Sequence, residues 1–252
     1  MLNFQTFSAW IVIDGLSSDE FNVEHRDVDG TMHVSCWVPS EAGKKFQVHF
    51  KDMSGMTSNA YVYIDGNKSG GRVMRPERPA RYLDGLRISS TASRPFVFSN
   101  LNFTDEEDNL SALGSLNVGQ IEVTAGFVHV GGHKQATQFY EVPPEQKFNE
   151  KAKKGVDHQT QFGDIVHHRH TVRSVTVIPR GKEVVRFCFR YRPLAIEVLR
   201  AHGIAPPVAA SSSSKSKKRP ISPSDKDVKP QPPEVIELSD SEDEKQASFH
   251  AF

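Results

Sequence analysis

The chain has 252 residues and balances 31 Lys and Arg against 31 Asp and Glu. That length suits one large domain or two small ones, and the even charge gives no global basic field, so no specific nucleic-acid partner is expected. Two cysteines, Cys36 and Cys188, are too few for a stapled secreted scaffold and are expected as reduced, buried thiols.

The start of the chain, 1–13, is mildly apolar but contains Asn3, Gln5 and Ser8 and has no basic lead-in. No apolar run approaches the roughly 18 residues of a membrane span. A soluble intracellular protein with no membrane partner is expected. Residues 7–13 (F-S-A-W-I-V-I) read as a strand ended by Asp14-Gly15. Residues 31–38 alternate, with Met32, Val34, Cys36 and Val38 on one face and His33, Ser35 and Trp37 on the other. That is the period of a half-buried strand, closed by Pro39. Residues 46–50 repeat the pattern, with Phe46, Val48 and Phe50 inward. Residues 60–64 lead into Asp65-Gly66, a hairpin turn signal, and 69–74 form the return strand. Segments 86–91, 95–102 and 120–130 complete this set, and the acidic 104–116 reads as an exposed loop or one short helix. Many short strands divided by Gly, Pro and Asp turns, with no βαβ rhythm, predict an all-β, antiparallel sandwich or jelly roll rather than a parallel sheet.

Beyond Gly131 the texture changes. Residues 145–154 (E-Q-K-F-N-E-K-A-K-K) read as a short polar helix stopped by Gly155, and 157–170 is polar and His-rich. Segments 172–178 and 183–191 read as a strand pair joined by Pro179-Arg180-Gly181. Pro193 is placed at the first position of a short C-terminal helix over 194–202, capped by Gly203. The predicted folded domain is 1–208. Residues 209–252, rich in Ser, Pro and Lys, cannot bury enough apolar surface to offset chain entropy and are expected to be a disordered tail.

Within that tail, Lys215, Lys217, Lys218 and Arg219 form a basic knot with the composition of a nuclear-import signal. An import carrier is the expected partner and the nucleus the expected location, although a solubilising linker has the same composition. Ser222, followed by Pro223, is a candidate proline-directed phosphorylation site. Further on, Val235, Ile236 and Leu238 form an apolar island followed by Asp240, Glu242, Asp243 and Glu244. An extended segment of this kind adds a strand to a partner's exposed sheet edge, and its acid favours a basic rim. Ser239 and Ser241 have Glu242 and Glu244 three residues on, the pattern of an acid-directed kinase site. Val235, Ile236, Glu237, Leu238 and Asp240 together resemble a SUMO-interacting motif, which implies SUMO or SUMO-modified proteins as partners.

Signs of catalysis are weaker. His158, His167, His168 and His170 cluster in sequence and raise a metal-dependent enzyme, but no acid or thiol lies at ligand spacing, so a polar loop or strand edge is the plainer account. There is no G-x-S-x-G, Gly70-Gly71 and Gly131-Gly132 lack the phosphate-loop pattern, and D-E-E-D at 105–108 lacks calcium-loop spacing. Trp37, Tyr61, Tyr63 and Tyr82 fit a groove for carbohydrate or peptide, although strand aromatics more often serve as core or cross-strand pairs. No catalytic residue, metal or cofactor is expected.

The runs 35–50 (S-C-W-V-P-S-E-A-G-K-K-F-Q-V-H-F), 63–66 (Y-I-D-G), 158–163 (H-Q-T-Q-F-G) and 189–204 (F-R-Y-R-P-L-A-I-E-V-L-R-A-H-G-I) resemble an uncharacterised fungal, basidiomycete-type family with a conserved domain of unknown function. The resemblance covers roughly 7–204. It implies one domain and carries no activity. The leading expectation is a non-enzymatic nuclear interaction protein that docks on SUMO through its tail. The alternatives are a β-sandwich binding module for a peptide, carbohydrate or basic protein partner, and a metal-dependent enzyme using the His158–His170 region.

Overall fold

Two β-sheets stack through their apolar faces. The computed structural model describes residues 1–104, 117–135, 139–144, 147–149, 157–171 and 173–193. One sheet runs β1 (Leu2–Phe4), β2 (Phe7–Ile13), β6 (Lys45–Asp52), β11 (Ala92–Asn100), β10 (Gly85–Arg87). On it, β3 (Leu16–Ser17) pairs with β2, β9 (Ala80–Leu83) with β6, and β15 (His158–Phe162) and β16 (Val166–His167) with β11. The other sheet runs β4 (Phe21–Val28), β5 (Thr31–Ser40), β18 (Val185–Pro193), β13 (Gln120–Gln135), β7 (Ser58–Ile64), β8 (Asn67–Met74), with β17 (Arg173–Pro179) also on β13.

Alternation places the core. Phe46, Val48 and Phe50 point in from β6, and Val34, Cys36 and Val38 from β5, all at most 1% exposed. Phe46 stacks on Phe98 at 4.3 Å and on Phe96 at 5.5 Å between ring centroids. Contacts between the sheets follow, with Phe98 of β11 5.0 Å from Tyr191 of β18 and Phe7 of β2 5.4 Å from Phe127 of β13. Such close aromatic packing is typical of a sandwich core. The all-β sandwich expected from the strand pattern is the observed fold.

Several local expectations differ. The sandwich contains a parallel seam, because β18 runs parallel to β5 over Val185↔Met32 to Pro193↔Ser40. Strands distant in sequence meet there, which no hairpin signal encodes. Segments β17 and β18 do not pair with each other. Both lie antiparallel to β13, β17 along Val128–Gln135 and β18 along Gln120–Ala125, as one interrupted strand. The β17 ladder shifts register between Val130 and His133, where Gly131-Gly132 allows a bulge. Pro39 does not close β5, which continues to Ser40, and Pro193 lies in β18, opposite Ser40 of β5. Inside the segment read as a polar helix, β14 (Lys147–Asn149) instead pairs in parallel with β12 (Asn102–Thr104). A helix polar all round has no apolar face to hold it, whereas the β12 edge offers backbone partners. The helix expected over 194–202, the segment 105–116 and the tail 209–252 lie outside the described residues.

One polar network ties the two sheets at a turn. Asp65 and Gly66 both take positive φ, 50° and 80°, as a two-residue hairpin loop between β7 and β8 requires. The Asp65 side chain is buried, and its carboxylate accepts from Tyr191 Oη at 2.7 Å, from the backbone N–H of Gly119 and of Thr160 at 2.8 Å each, and from Gln120 N–H at 3.4 Å. Burial pushes this carboxyl up to about 6, and the four donors hold it from rising further.

Candidate functional site

At the open edge of the sandwich, β8 of one sheet meets β9 and β10 of the other and leaves a cleft of about 850 Å³. Arg72, Arg75, Arg78, Arg81 and Arg87 line it, with Asp84 as the acid among the lining residues. Tyr61, Tyr82, Tyr140 and His168 add aromatic walls.

Backbone register explains the arrangement. Arg72 lies opposite Ala60, whose side chain is fully buried, and directly opposed residues share a sheet face. Arg72 therefore takes an inward slot, tenable only because β8 is an edge strand. Its Nη1 donates to the Gly71 carbonyl at 3.0 Å. The R-P-E-R sequence at 75–78 forms a tight turn in which Arg78 N–H donates to Arg75 O at 2.8 Å and Arg75 N–H returns to Arg78 O at 3.3 Å. Pro76 presets the backbone of that turn, which presents Arg75 and Arg78 side by side. From the opposite sheet, Arg81 Nε donates to Val73 O at 3.0 Å and bridges β9 to β8. Two glycines permit the close approach. A Cβ on Gly71 would stand 2.6 Å from the Tyr61 ring, and Gly70, at φ 150°, leaves 3.0 Å to Leu83. Finally, Tyr140 N–H donates to Arg87 O at 3.1 Å and holds that segment against the cleft.

The electrostatics are those of crowded, part-desolvated cations. Burial pulls Arg72 below its ordinary range, and the neighbouring Arg87 charge acts in the same direction. Burial does the same to Arg81 and Arg87, with Asp84 opposing it at Arg87. Arg87 Nη1 is buried and has no hydrogen-bond partner among the described residues. Such a site suits an anion with several acceptor oxygens.

The expected site residues scatter. Tyr61 and Tyr82 both reach this cleft, whereas Trp37 lies under Arg192 and Arg190, whose guanidiniums stand 4.6 and 5.6 Å from its ring. Tyr63 is half-buried on β7 and does not line the cleft. The histidines are divided. His158, on β15, is buried and its Nδ1 lies 2.8 Å from Ser40 Oγ, while His168 Nε2 lies 2.7 Å from Ser93 Oγ. His167 and His170 are exposed. Among the described residues no group of three or more His, Cys, Asp or Glu converges as a metal site would. Cys36 and Cys188 are free, and burial pushes the first well up and the second up to about 11, so neither carries thiolate character. Val235, Ile236, Glu237, Leu238 and Asp240, the basic knot Lys215, Lys217, Lys218 and Arg219, and Ser222, Ser239 and Ser241 lie outside the described residues.

The arginine cleft was missed by sequence reasoning, which weighed net charge. A usable signal existed: Arg72, Arg75, Arg78 and Arg81 recur every third residue in a segment whose acids are Glu77 and Asp84. No curated protein and no solved structure matches the chain. The model of one family, described as a domain of unknown function (DUF7918), matches residues 6–207, most of the chain and all of the sandwich beyond its first strand. The chain belongs to that family.

Proposed function

We propose that the protein is a non-enzymatic nuclear interaction protein that docks on SUMO or SUMO-modified partners through Val235, Ile236 and Leu238. The observation that carries this reading is the apolar island followed at once by Asp240, Glu242, Asp243 and Glu244. The β-prone core supplies strand pairing, and the acid supplies register and affinity for a basic rim. The knot Lys215, Lys217, Lys218 and Arg219 supports nuclear entry through an import carrier. Phosphorylation of Ser239 and Ser241 would add about −1.5 to −2 charge each and deepen the negative patch rather than reverse it. The family resemblance also supports a fungal source.

A second reading is favoured by the cleft. Its five arginines turn the binding-module alternative away from a basic protein partner and toward an anionic one. The first reading is tested by titrating SUMO with a peptide spanning 230–245, unmodified, doubly phosphorylated, and with Val235, Ile236 and Leu238 changed to Ala. Tightest binding by the phosphopeptide, a gain that shrinks with salt, and no binding by the Ala variant are expected. An Ala variant that binds like the parent would reduce the contact to diffuse electrostatics.

A further inference from the structure

We propose that the arginine cleft is a binding site for a ligand carrying phosphate monoester groups. This inference goes beyond the tail-docking reading and stands without it. Placement is the first argument. Arg72 occupies an inward slot opposite Ala60, a position where an aliphatic side chain would pack without desolvating a charge. The second argument is an unmet donor. Arg87 Nη1 is buried without a partner among the described residues, and a buried donor of this kind costs stability until an acceptor arrives.

Charge selects the acceptor. Five arginines line the cleft, offset by Asp84 among the lining residues and by Glu77, which stands 4.0 Å from Arg75 Nη1. A carboxylate returns one negative charge and two oxygens. A phosphate monoester brings about −1.5 to −2 and three acceptor oxygens, in the geometry that the guanidinium fork takes bidentately. Size selects the rest of the ligand. A cleft of about 850 Å³ holds far more than one phosphate, and Tyr140 and Tyr82, the latter stacked on His49 at 5.1 Å, are among its lining residues beside an organic body. The shared chemistry is a monoester on such a body, either a phosphorylated side chain in a peptide or a free organic phosphate.

Isothermal titration calorimetry on the full chain tests this with four probes. These are myo-inositol hexakisphosphate, a hexapeptide bearing one phosphoserine, the same peptide with Glu at that position, and a single-stranded oligonucleotide that carries only diesters. At least one monoester probe should bind, with the Glu peptide and the oligonucleotide about tenfold weaker or more. Whichever monoester probe binds identifies the source of the phosphate. Arg87→Gln should weaken that probe about tenfold or more, and the turn pair Arg75→Gln with Arg78→Gln, half-buried and exposed respectively, should weaken it as well and leave binding less sensitive to salt. If Arg87→Gln does not fold by circular dichroism, the turn pair decides. Failure of both monoester probes, equal binding by the Glu peptide or the oligonucleotide, or unchanged affinity in the folded variants would overturn the proposal.

Discussion

Replacing Asp65 by Asn should change how stability depends on pH. The carboxyl sits at about 6 in the native protein against an ordinary 3.8, because burial outweighs the donors from Tyr191, Thr160, Gly119 and Gln120. Between those values the native state keeps a proton that the unfolded chain has lost. The associated stabilisation is complete below pH 3.8 and is lost as pH rises through 6. At 1.36 kcal/mol per pH unit, the whole window is worth on the order of 3 kcal/mol, of which about 2 kcal/mol falls between pH 4.5 and 7.5. Asn cannot titrate, so the difference in unfolding free energy, wild type minus variant, should fall by about that amount over the measured range and be flat above pH 7.5. Urea denaturation at closely spaced pH values reads it. The fixed offset from the altered hydrogen bonds cancels in the slope. A difference that stays constant would mean that the four donors balance desolvation, and one that grows with pH that they outweigh it; either would refute the reasoning.

Three further outcomes are expected. Phe98→Ala removes a fully buried ring that stacks on Phe46 and touches Tyr191, and should cost about 3–5 kcal/mol in urea denaturation; a loss below 1 kcal/mol would show that the core collapses around the gap. Gly71→Ala places a Cβ 2.6 Å from the Tyr61 ring and 2.9 Å from the Ala60 carbonyl, and should cost about 1–3 kcal/mol, with unchanged stability showing that Tyr61 swings aside freely. Changing Lys217, Lys218 and Arg219 to Ala should abolish nuclear accumulation of a fusion too large to diffuse through the pore, as seen by fluorescence microscopy; retained accumulation would remove the import reading.

Legibility followed locality. The faces of β5 and β6 and the Asp65-Gly66 turn were readable because alternation and turn chemistry are encoded within a few residues. Strand β4 was not, since an edge strand with an exposed polar sequence shows no inward stripe. Strand β15 escaped for a related reason: His158 and Gln159 are buried polar groups satisfied by Ser40 Oγ and the Asn100 carbonyl, which sequence reading takes for loop. A turn Asp is ordinarily solvated, so the burial of Asp65 beneath Tyr191 depends on a partner 126 positions away. The cleft combines both difficulties. Its threefold arginine spacing matches neither a strand nor a helix period, and it acquires meaning only when a strand, a turn and a strand from the opposite sheet fold back on one another.

The central functional claim is most directly tested by recording amide spectra of isotope-labelled SUMO with the unlabelled full chain added, beside the variant with Val235, Ile236 and Leu238 changed to Ala. Strand addition predicts perturbed amides that form one contiguous sheet edge and its basic rim, all lost with the variant. Absence of perturbation by the parent chain, or scattered shifts that the variant reproduces, would contradict it.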